Sequence, residues 1–138
     1  MFEKIRKTIN TSDAFIQHLG ITVDEIRHGY ARASMPEAPH LCNGLGNLHG
    51  GASFTLADIA FAAVALSSGL VTVNIASSVN YVNAGKIGPY TAEAKIVSES
   101  RKLCTVEVLV TDGQGTPITV VMATGYRNDK RLVDEPAD

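Results

Sequence analysis

The chain has 138 residues, 45% of them hydrophobic and 19% charged, and its 12 Lys and Arg against 14 Asp and Glu leave a net charge of −2. That length suits one domain with a core of its own; the apolar content excludes a disordered chain, and the slight acidity excludes a basic nucleic-acid-binding surface. Two cysteines, Cys42 and Cys104, make no CxxC pair and no disulfide framework, and the first seven residues interleave charges with apolar positions, so no secretory leader and a cytoplasmic location are expected.

In chain order, Phe2, Ile5 and Ile9 recur at helical spacing. Residues 10–13 interrupt that period and can cap a second helical stretch with Phe15, Ile16 and Leu19, ended by Gly20. Residues 1–19 thus form an N-terminal helical segment. Two strand-like runs, 21–27 and 30–36, flank His28 and Gly29 as a hairpin turn. Residues 36–47, with two prolines, two glycines and two asparagines, read as a loop. From Ala52 to Leu66 the chain is apolar on nearly every helical face, a pattern that belongs to a helix buried all round or inserted in a membrane. Ser53, Thr55, Asp58, Ser67 and Ser68 make it too polar and too short to span, so it is expected as a central helix wrapped by the rest of the chain. Strands are expected over 71–82, 91–98, 103–111 and 118–127, with residues 112–115 as a turn and the charged tail 128–138 fraying. Residues 1–138 are therefore expected as a single α+β domain, its antiparallel sheet curved around one helix.

Asp58 is the one charged residue between Gly50 and Leu70. An ionised carboxylate on an apolar helix is costly unless it is partnered or reaches a solvated cleft. Either it caps or pairs with something distant, or it carries chemistry. The sequence running into the helix weights the second reading. His49, Gly50 and Gly51 open the helix, where unpaired N–H groups and the positive end of the dipole suit a developing oxyanion. Asp58 lies eight residues on, about 12 Å along the axis. One chain therefore hardly brings both groups to one small reacting centre, whereas a second copy placed antiparallel would.

The string Asn43-x6-Gly50-Gly51-x6-Asp58, with His49 before the glycines and Leu56 to Phe61 around the acid, resembles the hotdog-fold acyl-CoA thioesterases. Within them it is most similar to the PaaI-like branch, associated with phenylacetate degradation, over residues 20–127. That resemblance implies the hotdog fold, a five- or six-stranded antiparallel sheet wrapped around a long helix, assembled as a homodimer and often a dimer of dimers (a homotetramer). It implies hydrolysis of a small acyl- or aryl-CoA thioester to free acid and CoA, with no separate cofactor because coenzyme A is part of the substrate. Carried over residue by residue, the Gly50 N–H polarises the thioester carbonyl, and Asp58 of the partner subunit is nucleophile or general base. Asn43 orients water or the carboxylate, and His49 lies by the thioester and pantetheine. Gly51 and Asn74 fall at the substrate. The chain departs from the family in three places: residues 81–85 lack a proline after the aromatic residue, Gly88-Pro89 replaces Gly-Asp, and Asn74 stands where some relatives have a hydroxyl.

Lys86, Arg101, Lys102 and Arg127 are candidates for the phosphates of CoA, against the plainer account of solvated surface charges. The four histidines lack zinc-type spacing, so no metal is expected, and neither a nucleic-acid nor a membrane partner is. Two rival functions keep the fold. A non-catalytic acyl-CoA-binding or regulatory protein is disfavoured by the intact Asp58, and a hydratase by the lack of any histidine after His49.

Overall fold

The computed structural model describes residues 1–132. Helices α1 (Phe2–Ser12) and α2 (Ala14–His18) lead into a hairpin of β1 (Thr22–Arg27) and β2 (Tyr30–Met35). After a loop come the central helix α3 (Gly50–Ala65) and the strands β3 (Leu70–Tyr81), β4 (Tyr90–Glu99), β5 (Leu103–Thr111) and β6 (Pro117–Arg131). The strands form one antiparallel sheet in the order β1-β2-β4-β5-β6-β3. The expected α+β class and sheet-wrapped helix are what the chain adopts.

Binary pattern explains the wrapping. On the concave face, register aligns Ala31 with Ala94 and Val108, and Ala33 with Ala92 and Val110, all fully buried. The small side chains of β2 and β4 let α3, itself rich in alanine, approach closely, while the valines of β5 fill the far side. By length and hydropathy, Gly50–Ser68 could cross a membrane, yet most of it is buried among the chain's own strands. Beyond its first residue, what α3 leaves partly open is one stripe, Gly51, Phe54, Thr55, Asp58 and Ala62, at successive helical turns.

The two sheet edges differ. Along β1, the Asn10 side chain accepts from the Val23 N–H at 2.8 Å and donates to the Val23 carbonyl at 2.9 Å, pairing like another strand. α1 consequently runs on to Ser12, past the break expected at residue 10, and Asp13 alone caps α2 by accepting from the Ile16 N–H. The opposite edge, β3, leaves Val73, Ile75 and Tyr81 more than half exposed.

Residues 128–132 of the tail expected to fray are paired instead. β6 continues to Arg131, which pairs with Leu70, and the Leu132 N–H bonds the Gly69 carbonyl; residues 133–138 of that tail lie outside the described residues. Arg127 is not a surface charge. Its side chain is buried, donating to the Glu99 carboxylate and, at 2.9 Å, to the Ser100 carbonyl.

Gly125 in β6 shows how tight the inner face is: a Cβ there would come within 2.8 Å of Cys104 Sγ and 3.0 Å of the Phe61 ring. Gly125→Ala is expected to cost about 1–3 kcal/mol by overpacking, read as a lowered urea midpoint. An unchanged midpoint would contradict the packing described.

Candidate active site

The loop before α3 is built on Asn43. Its side-chain oxygen accepts from the Leu45 N–H at 2.9 Å and the Asn47 N–H at 3.1 Å, and its own N–H bonds the Asn47 carbonyl at 2.7 Å. Gly46 completes this turn at φ +80. The Leu48 N–H then reaches the Gly85 carbonyl and the His49 N–H the Leu41 carbonyl, which fixes the angle at which the chain enters α3.

His49 is the helix cap, in extended conformation (φ −62, ψ 135), with Nδ1 accepting from the Gly51 N–H at 2.9 Å. The N–H groups of Ala52 and Ser53 both bond the His49 carbonyl at 3.0 Å. The Gly50 N–H has no acceptor among the described residues. Of the two glycines flagged from sequence, only Gly50 thus presents a free donor at the positive end of the helix.

Two recesses lie at the helix start, one lined by Gly50 and the other by Gly51. One, of about 300 Å³, is uncharged, its lining shared between polar groups of Asn43, Ser53, Asn83 and Thr119 and the apolar Leu48 and Ile118. The Tyr81 ring lies over Gly50, where a Cβ would meet it at 3.4 Å, and the buried hydroxyls of Ser53 and Thr119 hydrogen-bond each other behind it. The other, of about 460 Å³, is mainly apolar, with Phe15, Leu19, Leu41, Ala52 and Phe54 around His40 and His49.

Asp58 sits two turns further along α3, half-buried on the open stripe. Its Oδ1 accepts from Asn74 Nδ2 at 3.3 Å. That amide also donates to Ser77 Oγ at 2.8 Å, and its oxygen accepts from the Ala76 N–H at 3.1 Å. The β3–β6 register slips between Asn74 and Ala76, a bulge that turns Asn74 toward the helix. Asn74 therefore touches the carboxylate directly.

The basic candidates are dispersed. Lys86 is exposed beside the 42–46 loop, near Cys42 and Gly46. Arg101 is exposed in the β4–β5 turn, and Lys102 bonds Asp129 at 3.3 Å over the Tyr126 ring. Sequence reasoning did not place Ser53, Thr119, Phe15 or Ser77 at the site. A serine inside an apolar helix was a visible signal, but its partner lies 66 positions away and carries none.

Residues 45–119 match the family model described as the thioesterase superfamily. The chain belongs to the thioesterase superfamily. Among curated relatives, a protein of Archaeoglobus fulgidus described as a candidate esterase is 30% identical over 92% of this chain and 83% of its own. The acyl-coenzyme A thioesterase PaaI of Escherichia coli is 27% identical over 84% of each. The solved E. coli PaaI protein from the phenylacetic acid degradation operon superposes with a TM-score of 0.90 at 24% identity, covering 96% of both chains, which establishes a shared hotdog fold. A Streptococcus pneumoniae thioesterase protein solved with coenzyme A gives 0.75 at 29% identity, over 80% of this chain and 90% of that one. The chain is thus a PaaI-like hotdog thioesterase.

Asn43→Ala leaves the Leu45 and Asn47 N–H groups without their acceptor. Their amide hydrogen exchange is expected to accelerate about tenfold. Unchanged exchange at both would contradict this account of the loop.

Proposed function

We propose that the protein hydrolyses small acyl- or aryl-CoA thioesters at sites shared between two copies of the chain. The observation that carries the reading is the free Gly50 N–H at the start of the same helix that holds Asp58, about 12 Å apart along its axis. Asp58 lies on the stripe that α3 leaves open and touches β3, the uncovered sheet edge. Two copies placed antiparallel along those surfaces would set Gly50 of one against Asp58 of the other, and the exposed Val73 and Ile75 suit such an interface. A homodimer follows, and a dimer of dimers is compatible with it.

In the reaction, the thioester carbonyl takes a hydrogen bond from the Gly50 N–H, which strengthens as negative charge develops on the oxygen. Asp58 either removes a proton from an attacking water or attacks the carbonyl itself, giving an anhydride that water then opens. The C–S bond breaks, and the CoA sulfur leaves as thiolate or picks up the transferred proton. Asn74, holding one carboxylate oxygen, leaves the other for this work. The uncharged recess, with its amide and hydroxyl groups beside apolar ones, suits the pantetheine arm, and the mainly apolar one a short or aromatic acyl group. Lys86 and Arg101, both exposed, and Lys102, half-buried and bonded to Asp129, remain the candidates for the phosphates.

Thiol release from a panel of CoA esters tests the reading. Asp58→Ala and Asp58→Asn are each expected to lower kcat at least about a hundredfold while the fold is retained. Equal rates for wild type and variants would contradict the role given to Asp58. Light scattering is expected to return a dimer or tetramer mass, and a fully active monomer would contradict the shared site.

A further inference from the structure

The pair of glycines after His49 is unequal, and the inequality assigns a role to the imidazole. A Cβ on Gly51 would stand 3.0 Å from His49 Nδ1 and 3.3 Å from Cε1, so the ring occupies the space where any other residue's side chain would begin. The Gly51 backbone is not in the left-handed region, so space rather than backbone conformation calls for glycine there. The ring that fills this space accepts the Gly51 N–H at 2.9 Å. With Ala52 and Ser53 bonded to the His49 carbonyl, every N–H of the first helical turn after Gly50 is satisfied.

We infer that His49 is a positioning residue: its imidazole, seated in the space left by Gly51, takes up the second N–H of the helix so that the Gly50 N–H stands as the sole free donor, held in direction by the cap. The inference rests on the reading above that Gly50 serves the thioester carbonyl. It specifies the chemistry of the ring. Nδ1 must be unprotonated to accept, so the proton of the neutral imidazole lies on Nε2. The role is local and electrostatic: an uncapped Gly51 N–H would let the first turn loosen and the Gly50 donor swing, where a preorganised donor is worth most when it does not have to reorient.

A double-mutant cycle with a rescue variant tests this on the full chain. His49→Ala is expected to lower kcat about tenfold with KM nearly unchanged, and His49→Asn, whose side-chain oxygen can cap the same N–H, to return kcat to within about threefold of wild type. Gly51→Ala is expected to cost about tenfold beside His49, where it displaces the ring, and less than about twofold in the His49→Ala background. Equal loss in His49→Asn and His49→Ala, or independent additive costs for the two positions, would overturn the inference in favour of a histidine acting on substrate itself. Nitrogen-15 NMR of the wild-type imidazole, expected to report a proton on Nε2 and an accepting Nδ1, is independent of turnover; a proton on Nδ1 would overturn the inference even in an active enzyme. If no CoA ester is hydrolysed by the wild type, the functional reading fails, while the NMR result and the same cycle read in thermal unfolding still decide the cap.

Discussion

The burial of α3 is the constraint on which the rest of this structure depends. A sixteen-residue helix with apolar side chains on nearly all sides has no stable place at the rim of a sheet; the sheet has to curve around it. The alanines of β2 and β4 permit that curvature by bringing the strands close, and Gly125 permits it where Phe61 reaches β6. Because the helix is enclosed along its length, its ends and one stripe are what remain available. The N-terminal end carries an unpaired donor, and the stripe carries the one carboxylate.

The contrast between the sheet edges follows the same logic. An exposed strand edge invites pairing with another chain, and β1 is closed by Asn10 acting as a surrogate strand. β3 has no such cover among the described residues and exposes Val73, Ile75 and Tyr81, and it is β3 that bulges to aim Asn74 at Asp58. The partner of the Asp58 carboxylate and the uncovered sheet edge thus lie on one element. That arrangement fits the proposed division of the site, with the free donor at the start of α3 and the carboxylate two turns along it.

Much of this was legible in the residues. The all-round apolar helix, the alternation of Cys104, Val106, Val108 and Val110, and the turns at Gly29 and residues 112–115 depend on local chemistry, and they appear where the periods put them. The spacing of Asn43, Gly50 and Asp58 led to the superfamily. Strand order was not legible, because the placement of β3 beyond β6 is a long-range pairing with no local signature. The same holds for Arg127, whose charge reads as surface until Glu99 and Ser100 are brought beside it, and for the Ser53–Thr119 pair. The tail from residue 128 looked too polar to pair, yet main-chain bonds to β3 carry it to Arg131 whatever its side chains prefer.

The division of the site between two chains is tested most directly by complementation. Asp58→Ala removes the carboxylate, and Gly50→Pro removes the N–H while keeping a first helical residue that the extended His49 backbone tolerates. Each variant alone is expected to be inactive. Unfolded together and refolded as a mixture, half of the dimers pair one variant with the other, and each mixed dimer has one intact site of its two, so about a quarter of wild-type activity is expected. A mixture as inactive as either variant alone, although mixed dimers form, would contradict a site shared between chains.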